Sequence, residues 1–590
     1  MPSPEGSALS FRFALAVASV LLAGTSLAEP AGTFPTSRFV TDHPELATTP
    51  LERGRRVTAA IHGAEVHRYT VDLRRGQFAA VRLEQLGGDL VLTVFDPAGR
   101  LIDIRDGNST GAVDVATLFV ETTGRYAFQV AVFDWTTAEA AYAVTLARRE
   151  RAGRSPEQKA AQLFASWYDR DSPGAAVVVE REGRVVFRRG RGLAQVDTRK
   201  AITPATAFDL ASVSKQFTGY AVALLVERGS LRFDDDIRRY LPELPDYGHR
   251  ITVQHLLEHT SGLRDWDGLL RLAGRNIEDG IGLDEVVAVA VRQRGVHFAP
   301  GHEQRYSNTG YVLLAKIVER VTGQPFAVWT AENVFRPLGL ESCSFGATVG
   351  APRAFSYRSR VPRPVPFSRE PTLTFGSSSL ECSADDLRRW LAHLRHGAPQ
   401  SVRAPLPNPT GPAGDYGFGQ WFGAREGRAW FGHKGLAAGF RTAVRTYPGQ
   451  ELSIGFLAND ADDDTYRRAA VLEDLFLGVA PRPVEVPEGE FTPPPPPPVI
   501  RVPPFLGVYE SEEAGTFYRV VERAGALALE HECNGTIPLV ALGGDDFRSD
   551  AWFVPALSFF REANGPPTGF RITLPDGAVI EFRRRRPDRD

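Results

Sequence analysis

With 590 residues, the chain exceeds what one hydrophobic core accommodates, since single cores stop growing near about 250–300 residues, so several domains are expected. Its 68 basic and 71 acidic side chains leave a net charge of −3, which offers no electrostatic footprint for nucleic acid or an anionic membrane surface. Hydrophobic residues make up 43% of the chain, enough to bury real cores and to exclude a mainly disordered polypeptide.

Residues 1–28 read as a secretory signal peptide. Arg12 precedes an apolar run from Phe13 to Ala23, and Ser26-Leu27-Ala28 supplies a small-residue cleavage site. The run falls short of the roughly 20 residues that span a bilayer, so no transmembrane anchor is expected. Thr25 stands where a lipoprotein signal would need its cysteine. The mature protein is therefore expected to be exported, to the periplasm or the extracellular space.

Residues 29–150 alternate apolar and polar positions in short runs such as Val66 to Val71, Ala79 to Leu83, Leu90 to Phe95 and Arg125 to Val130, broken at Asp96-Pro97-Ala98-Gly99 and Asp106-Gly107-Asn108. Period-two patterning with β-branched and aromatic residues predicts a β-sandwich. The strand rhythm and the Gly124-x-Tyr126-x-Phe128-x-Val130 pattern resemble the pre-peptidase C-terminal type of module carried by secreted bacterial enzymes. That resemblance implies an accessory domain, either a targeting or carbohydrate-contacting unit or a solubilising spacer.

From 155 to 480 the pattern changes. An amphipathic stretch from Glu157 to Tyr168 leads into strands at 174–179 and 184–187, long helical periodicities follow at 213–228, 311–322 and 384–394, and strands return at 441–447 and 452–457. This predicts an α/β domain with helices inserted between the strands of one sheet. Residues 481–502, with Pro481, Pro483, Pro487 and the run Pro493 to Pro498, read as a stiff polyproline linker. Residues 503–583 are short strands and turns again, a small all-β domain that ends near Pro575-Asp576-Gly577. Cys343, Cys382 and Cys533 are too few and too widely spaced to specify a disulfide framework or a metal site.

Three segments carry chemistry. In Phe208-Asp209-Leu210-Ala211-Ser212-Val213-Ser214-Lys215, the serine precedes a helical periodicity and Lys215 lies one turn deeper on the same side. A hydroxyl needs a base, and a desolvated lysine becomes one because burial lowers its pKa. Lysine scarcity sharpens the point. The chain has only five lysines (Lys159, Lys200, Lys215, Lys316, Lys434) among its 68 basic residues; arginine cannot give up its proton, so a position requiring a neutral amine must stay lysine. In the second segment, Tyr306-Ser307-Asn308, a phenol to shuttle a proton and an amide to hold a carbonyl lie two residues apart. In the third, Phe431-Gly432-His433-Lys434-Gly435-Leu436, glycines admit a close backbone approach on a strand, and the Leu436 N–H can join that of Ser212 as an oxyanion hole.

In this order and spacing the segments resemble the serine β-lactamase and D,D-peptidase superfamily, in its class C β-lactamase-related branch of D-aminopeptidases and esterases. Further landmarks are His259-Thr260-Ser261-Gly262-Leu263, Phe335-Arg336-Pro337-Leu338-Gly339-Leu340 and Gly376-Ser377-Ser378-Ser379-Leu380. The resemblance implies a β-lactamase/transpeptidase-like α/β plus α catalytic domain, an acyl-enzyme at Ser212, and Lys215 with Tyr306 handling the proton. It implies Asn308, His433 and Gly435 as substrate-binding positions and a small molecule or peptide as substrate, with no metal and no cofactor. It also likens the C-terminal β domain to the lipocalin-like appendages of such enzymes, with gating of the cleft or stabilisation as its role.

The sequence departs from the family pattern at His433-Lys434-Gly435, where β-lactamases of this branch usually have Lys-Thr-Gly. A neutral imidazole is a weak anchor for the carboxylate of a penicillin or a D-Ala-D-Ala terminus. The expected substrates therefore shift toward esters, amides and D-amino-acid peptides. The alternatives are a β-lactamase or D,D-carboxypeptidase proper, and a non-catalytic penicillin-binding protein. A zinc hydrolase built on His255, Glu258 and His259, which match an H-x-x-E-H pattern, is the rival of a different mechanism.

Lys215→Arg should be nearly as inactive as Lys215→Ala in single-turnover acylation by a reactive ester, because guanidinium keeps its proton. A well-folded Lys215→Arg protein acylating within about threefold of wild type would remove the base role.

Overall fold

The computed structural model describes residues 41–585 apart from 64, 107–110, 134–138, 276–279, 347–351, 359–363, 365, 369–372, 400–401, 403–414, 483, 485–501 and 563–564. The expected signal peptide, the turn residues Gly107 and Asn108 and the run Pro493 to Pro498 lie outside the described residues.

The first ~110 described residues form two sheets. One has five strands in the order Thr48–Pro50, Val66–Leu73, Gly124–Val132, Leu90–Phe95, Leu101–Asp106; the other has four, Arg56–Ile61, Ala140–Arg151, Gln77–Gln85, Val113–Phe119. Alternate inward residues, among them Val71, Leu83, Leu92, Phe128 and Tyr142, meet in one shared core, as the period-two pattern requires. The four-stranded sheet is apolar on its outer face too. There Phe78, Ala80, Val113 and Val115 pack against Leu163, Phe164 and Trp167 of helix α1 (Pro156–Trp167), which Ser155 caps at its N-terminus. Arg82 pairs with Asp169 at 2.7 Å and Arg105 with Asp464 at 3.0 Å across the same junction.

The central sheet is antiparallel and seven-stranded. Its strands are β1 (Ala175–Arg181), β2 (Arg184–Arg191), β3 (Tyr416–Gly417), β4 (Gln420–Arg425), β5 (Arg428–Ala437), β6 (Phe440–Tyr447) and β7 (Leu452–Ala458), in spatial order β2-β1-β7-β6-β5-β4-β3. β1 and β7 read as continuous apolar runs because both faces are covered. On one side lie α1 and a C-terminal helix, Thr465–Leu477. On the other lie α2 (Ser214–Glu227), α3 (Asn308–Thr322) and α4 (Ala384–His396). Phe217 of α2 stacks on Trp390 of α4 with centroids 4.0 Å apart, and the Trp390 indole N–H donates to Gln216 Oε1 at 3.0 Å. Cys343 and Cys382 form a disulfide, and Cys533 is free and exposed.

The C-terminal part is a nine-stranded antiparallel sheet, from Gly535–Pro538 at one end to Val540–Gly543 at the other, curled into a nearly closed barrel. Its interior is not filled by its own residues alone. Trp266, Leu269, Leu270 and Leu272 of the helix Trp266–Leu272 belong to the same buried cluster as Tyr518, Phe570 and Phe582 of the barrel. The Tyr518 hydroxyl donates to the Leu272 carbonyl at 2.9 Å and Asn534 Nδ2 to that of Arg271 at 2.8 Å, capping the helix end. Among the described residues no helix is long and apolar enough to cross a membrane.

Trp266 is 3% exposed, so Trp266→Ala is expected to cost about 3–5 kcal/mol as an unfilled indole-sized cavity. Calorimetry should show a lowered unfolding transition; an unchanged thermogram would mean that this helix and the barrel do not share a core.

Candidate active site

Ser212 is delivered by a strained turn. Phe208 and Asp209 pair with Cys382 and Glu381, and then the Leu210 N–H donates to the Leu380 carbonyl at 2.7 Å. Ala211 takes a left-handed φ of 50°, rare for a residue with a Cβ. Asp209 Oδ1 accepts the Ala211 N–H at 2.7 Å and holds the turn. Ser212 sits in the single 3-10 turn Ala211–Val213 that runs directly into α2, the helix expected to follow it. β5 closes on this turn. A Cβ at Gly435 would lie 2.4 Å from the Leu210 carbonyl oxygen and 2.2 Å from Thr442 Oγ1, so only glycine permits the approach.

Lys215 is fully buried, and its Nζ meets three acceptors: Ser212 Oγ at 3.2 Å, Asn308 Oδ1 at 2.7 Å and the Ser377 carbonyl at 2.7 Å. The last two can only accept, so they occupy two N–H groups whatever the protonation state. The remaining position at nitrogen faces Ser212; it donates when the amine is charged and accepts the hydroxyl proton when it is neutral. Burial pushes the Lys215 pKa down to about 7, against the pull of the Asp265 carboxylate.

Asn308 is oriented by that same Asp265. Its Nδ2 donates to Asp265 Oδ2 at 2.8 Å, which turns Oδ1 toward the lysine. Asp265 Oδ1 also accepts the N–H groups of Trp266, Asn308 and Thr309, at 2.9, 3.2 and 3.3 Å. One carboxylate thus caps two helices, Trp266–Leu272 and α3. Asn308 is expected as a substrate ligand; within the protein its amide bridges Asp265 and Lys215.

The Tyr306 ring lies beneath Lys215 Nζ, 4.8 Å from centroid to nitrogen, and stacks on Trp421 with planes 10° apart. Its buried hydroxyl lies next to Ser212 without completing a hydrogen bond. Burial first, with Asp265 adding to it, holds the phenol well above its ordinary pKa. His433 is 4% exposed. Its Nδ1 faces the Lys434 carbonyl, which can only accept, so Nδ1 carries the proton and Nε2 accepts from the Tyr416 hydroxyl at 3.1 Å. Burial, reinforced by Lys215, pushes its pKa down to about 3, so the imidazole is neutral. Strand alternation sends Lys434 to the other side of the sheet, where its Nζ stands 4.9 Å over the Tyr466 ring. Gly435 contributes close packing rather than a side chain, and Leu436 is exposed at the strand edge.

The residues of the H-x-x-E-H pattern do not converge. The helix carrying them ends at Leu257, and His259 turns away with φ 59°. His255 Nδ1 accepts the Thr252 N–H, Glu258 meets Gln254, and His259 Nδ1 accepts the Ser307 N–H at 3.2 Å while its ring packs 4.3 Å from both Tyr306 and Tyr416. Among the described residues no three metal-ligating side chains cluster. Sequence reasoning missed Asp265, although an aspartate before an apolar helical run is an N-cap signal. It also missed Tyr416 and the Ser377 carbonyl, which have no such signal.

The family model described as Beta-lactamase matches residues 148–476. The chain is 28% identical over 352 residues to penicillin-binding protein 4* of Bacillus subtilis, covering 55% of this chain and 76% of that one. It is 38% identical over 207 residues to esterase EstB of Burkholderia gladioli, covering 32% of this chain and 52% of the esterase. To a D-aminopeptidase of Brucella canis it is 31% identical over 276 residues, covering 46% and 53%. The chain thus spans about half the length of the last two relatives.

The fit of β5 against the serine turn is testable on its own. Gly435→Ala drives a Cβ into the Leu210 carbonyl and should displace Ser212; if that serine is acylated, acylation falls at least about 100-fold, the cost of misplacement by about 1 Å. Wild-type acylation by this variant would show that the approach is not required.

Proposed function

The chain belongs to the beta-lactamase family of serine hydrolases, and from that premise we propose that it is an exported enzyme forming an acyl intermediate on Ser212. Its substrates are esters, amides or D-amino-acid peptides. The single observation that carries the reading is the triad of acceptors around Lys215: two obligate acceptors and the serine hydroxyl, around a buried amine with a pKa of about 7.

In the first step neutral Lys215 takes the Ser212 proton as Oγ attacks the carbonyl carbon. The new C–O bond forms as the carbonyl π pair moves onto oxygen. The resulting oxyanion is received by the N–H groups of Ser212 and Leu436. Hairpin geometry supports the latter donor: Ala437 pairs with Phe440 across a two-residue loop, which makes that the bonded pair and leaves the Leu436 N–H pointing away from β6. Tyr306, kept protonated by burial, donates to the departing alcohol or amine and recovers a proton from Lys215, so the phenol works as the acid and the lysine as the base. Water then repeats the sequence on the acyl-enzyme.

The substrate preference follows from charge. His433 is neutral and Lys434 lies on the opposite sheet face, so neither presents a cation to a substrate carboxylate. The Tyr306 and Trp421 rings instead offer an apolar wall. The relatives named esterase and D-aminopeptidase support the same preference. The Cys343–Cys382 disulfide supports export, because such bonds persist in oxidising compartments.

Purified protein should hydrolyse chromogenic esters and D-amino-acid anilides faster than a β-lactam, with mass spectrometry placing a fluorophosphonate adduct on Ser212 and Ser212→Ala abolishing all activities. Acylation should rise with pH through about 7 as Lys215 loses its proton. The folded chain then lacks a proton that the unfolded lysine keeps up to its ordinary pKa of 10.5, so this group's contribution to stability grows as pH rises across that window. A label on another residue, or acylation without a limb near neutrality, would refute the assignment.

A further inference from the structure

The C-terminal barrel meets the catalytic region at several polar points besides its shared core, among them Glu513 with Arg264 and Glu512 with Arg294, and one of these points leads on to Lys215. The turn Pro575-Asp576-Gly577 joins its last two strands, Pro567–Thr573 and Val579–Arg584. Asp576 Oδ1 accepts the Ala578 N–H at 2.9 Å and so fixes its own turn. Asp576 Oδ2 accepts the Asp265 N–H at 3.2 Å and faces His297 Nε2 at 3.3 Å. The Asp576 carbonyl accepts from Arg305 Nη1 at 2.7 Å, and Leu574 packs on Gly268. From there the hydrogen bonds are continuous: Asp576 to the Asp265 backbone, Asp265 to Asn308, Asn308 to Lys215 and Lys215 to Ser212.

Stability alone does not call for this arrangement. The barrel is already joined to the helix Trp266–Leu272 by apolar burial. Setting a second carboxylate beside Asp265 is electrostatically costly, and it pushes the Asp265 pKa up after burial has done so. What the contact does accomplish is geometric. It supplies the acceptor for the one N–H at Asp265 and thereby sets where that carboxylate starts its two helices and how it turns the Asn308 amide.

We infer that Asp576, carried by the C-terminal barrel, is a positioning residue for the Ser212–Lys215 pair and acts through Asp265 and Asn308. The inference rests on the reading of Lys215 as the base. The barrel is then a working part of the active site rather than an appendage to it, and an enzyme without it has a differently poised lysine.

The direction of the effect follows from the charges that face each group. Asp576 is flanked by His297, Arg264, Arg305 and Asp265, and its carboxyl is held below the ordinary range by hydrogen bonds from His297 and Ala578 against the effect of burial. Asp265 faces Asp576 and Lys215, with Asp267 beside it. Lys215 faces Asp265, the Tyr306 and Tyr311 rings, and the neutral imidazoles of His259 and His433. Removing the Asp576 charge takes away a repulsion that raises the Asp265 pKa, so the Asp265–Lys215 pair keeps its charged form to higher pH and the neutral base is formed only there.

The experiment is single-turnover acylation of the full chain by a chromogenic ester across pH, for wild type, Asp576→Asn and Asp576→Ser, with thermal denaturation of each. Both variants keep an oxygen for the Ala578 N–H and lose the charge. The expected result is folded protein, an adduct still on Ser212, a rising limb displaced to higher pH, and a rate near neutrality reduced about tenfold with KM little changed. Folded variants with the wild-type limb, or with a lower rate on an unmoved limb, overturn the inference, and so does failure of both to fold, which would make Asp576 purely structural. If wild type itself carries no adduct on Ser212, the proposed function fails first and the inference with it; an adduct on wild type combined with unmoved variants sinks the inference alone.

Discussion

Everything in the catalytic region is arranged around a buried amine. An ammonium removed from water loses several kcal/mol of solvation unless it is paired, and Lys215 is fully buried with one carboxylate, Asp265, held off by the length of an asparagine side chain. That distance is the working constraint. A direct ion pair would keep the proton on nitrogen, and a fully apolar pocket would leave the N–H groups unsatisfied. Asn308 transmits the orientation of the carboxylate and shields its charge, so the lysine is satisfied without being locked into its charged form.

The same constraint explains why four separate segments must be brought together by tight packing. The serine arrives on a left-handed alanine, braced by Asp209 and closed over by a strand that must be glycine at 435. A backbone carbonyl from Ser377 supplies the third acceptor, at the end of a loop where the Gly376 carbonyl accepts from Thr218. Rings of Tyr306, His259, Tyr416 and His433 fill the space behind. They exclude water, and burial keeps these four rings themselves neutral.

The two flanking β regions touch this arrangement differently. The N-terminal sheets pack on α1 through apolar side chains and a few ion pairs on the sheet face away from α2 and α3. The barrel packs on the helix that Asp265 begins and adds a carboxylate of its own behind it. Both are joined to the central domain by shared cores, but only the second lies within reach of the reacting groups.

The order of elements and the placing of Ser212 beside Lys215 at the start of a helix were legible in the chain itself, because periodicity, glycine placement and the difference between lysine and arginine are local properties of residues. The helices at 213–228, 311–322 and 384–394 and the strands near 441 and 452 appear with ends shifted by a few residues, for the same reason. The contact of Asn308 with Lys215 was not legible: nothing local marks it, and only the position of Asp265, 43 residues away, turns the amide oxygen toward the lysine. The protonation of His433 and of Tyr306 likewise depends on burial, which no single residue encodes. Asp576 reads in sequence as an ordinary turn aspartate, and its place behind Asp265 exists only because the barrel packs on a helix some 300 residues earlier in the chain. Local chemistry is written in neighbouring residues, whereas the field at a buried group is the sum over everything packed around it.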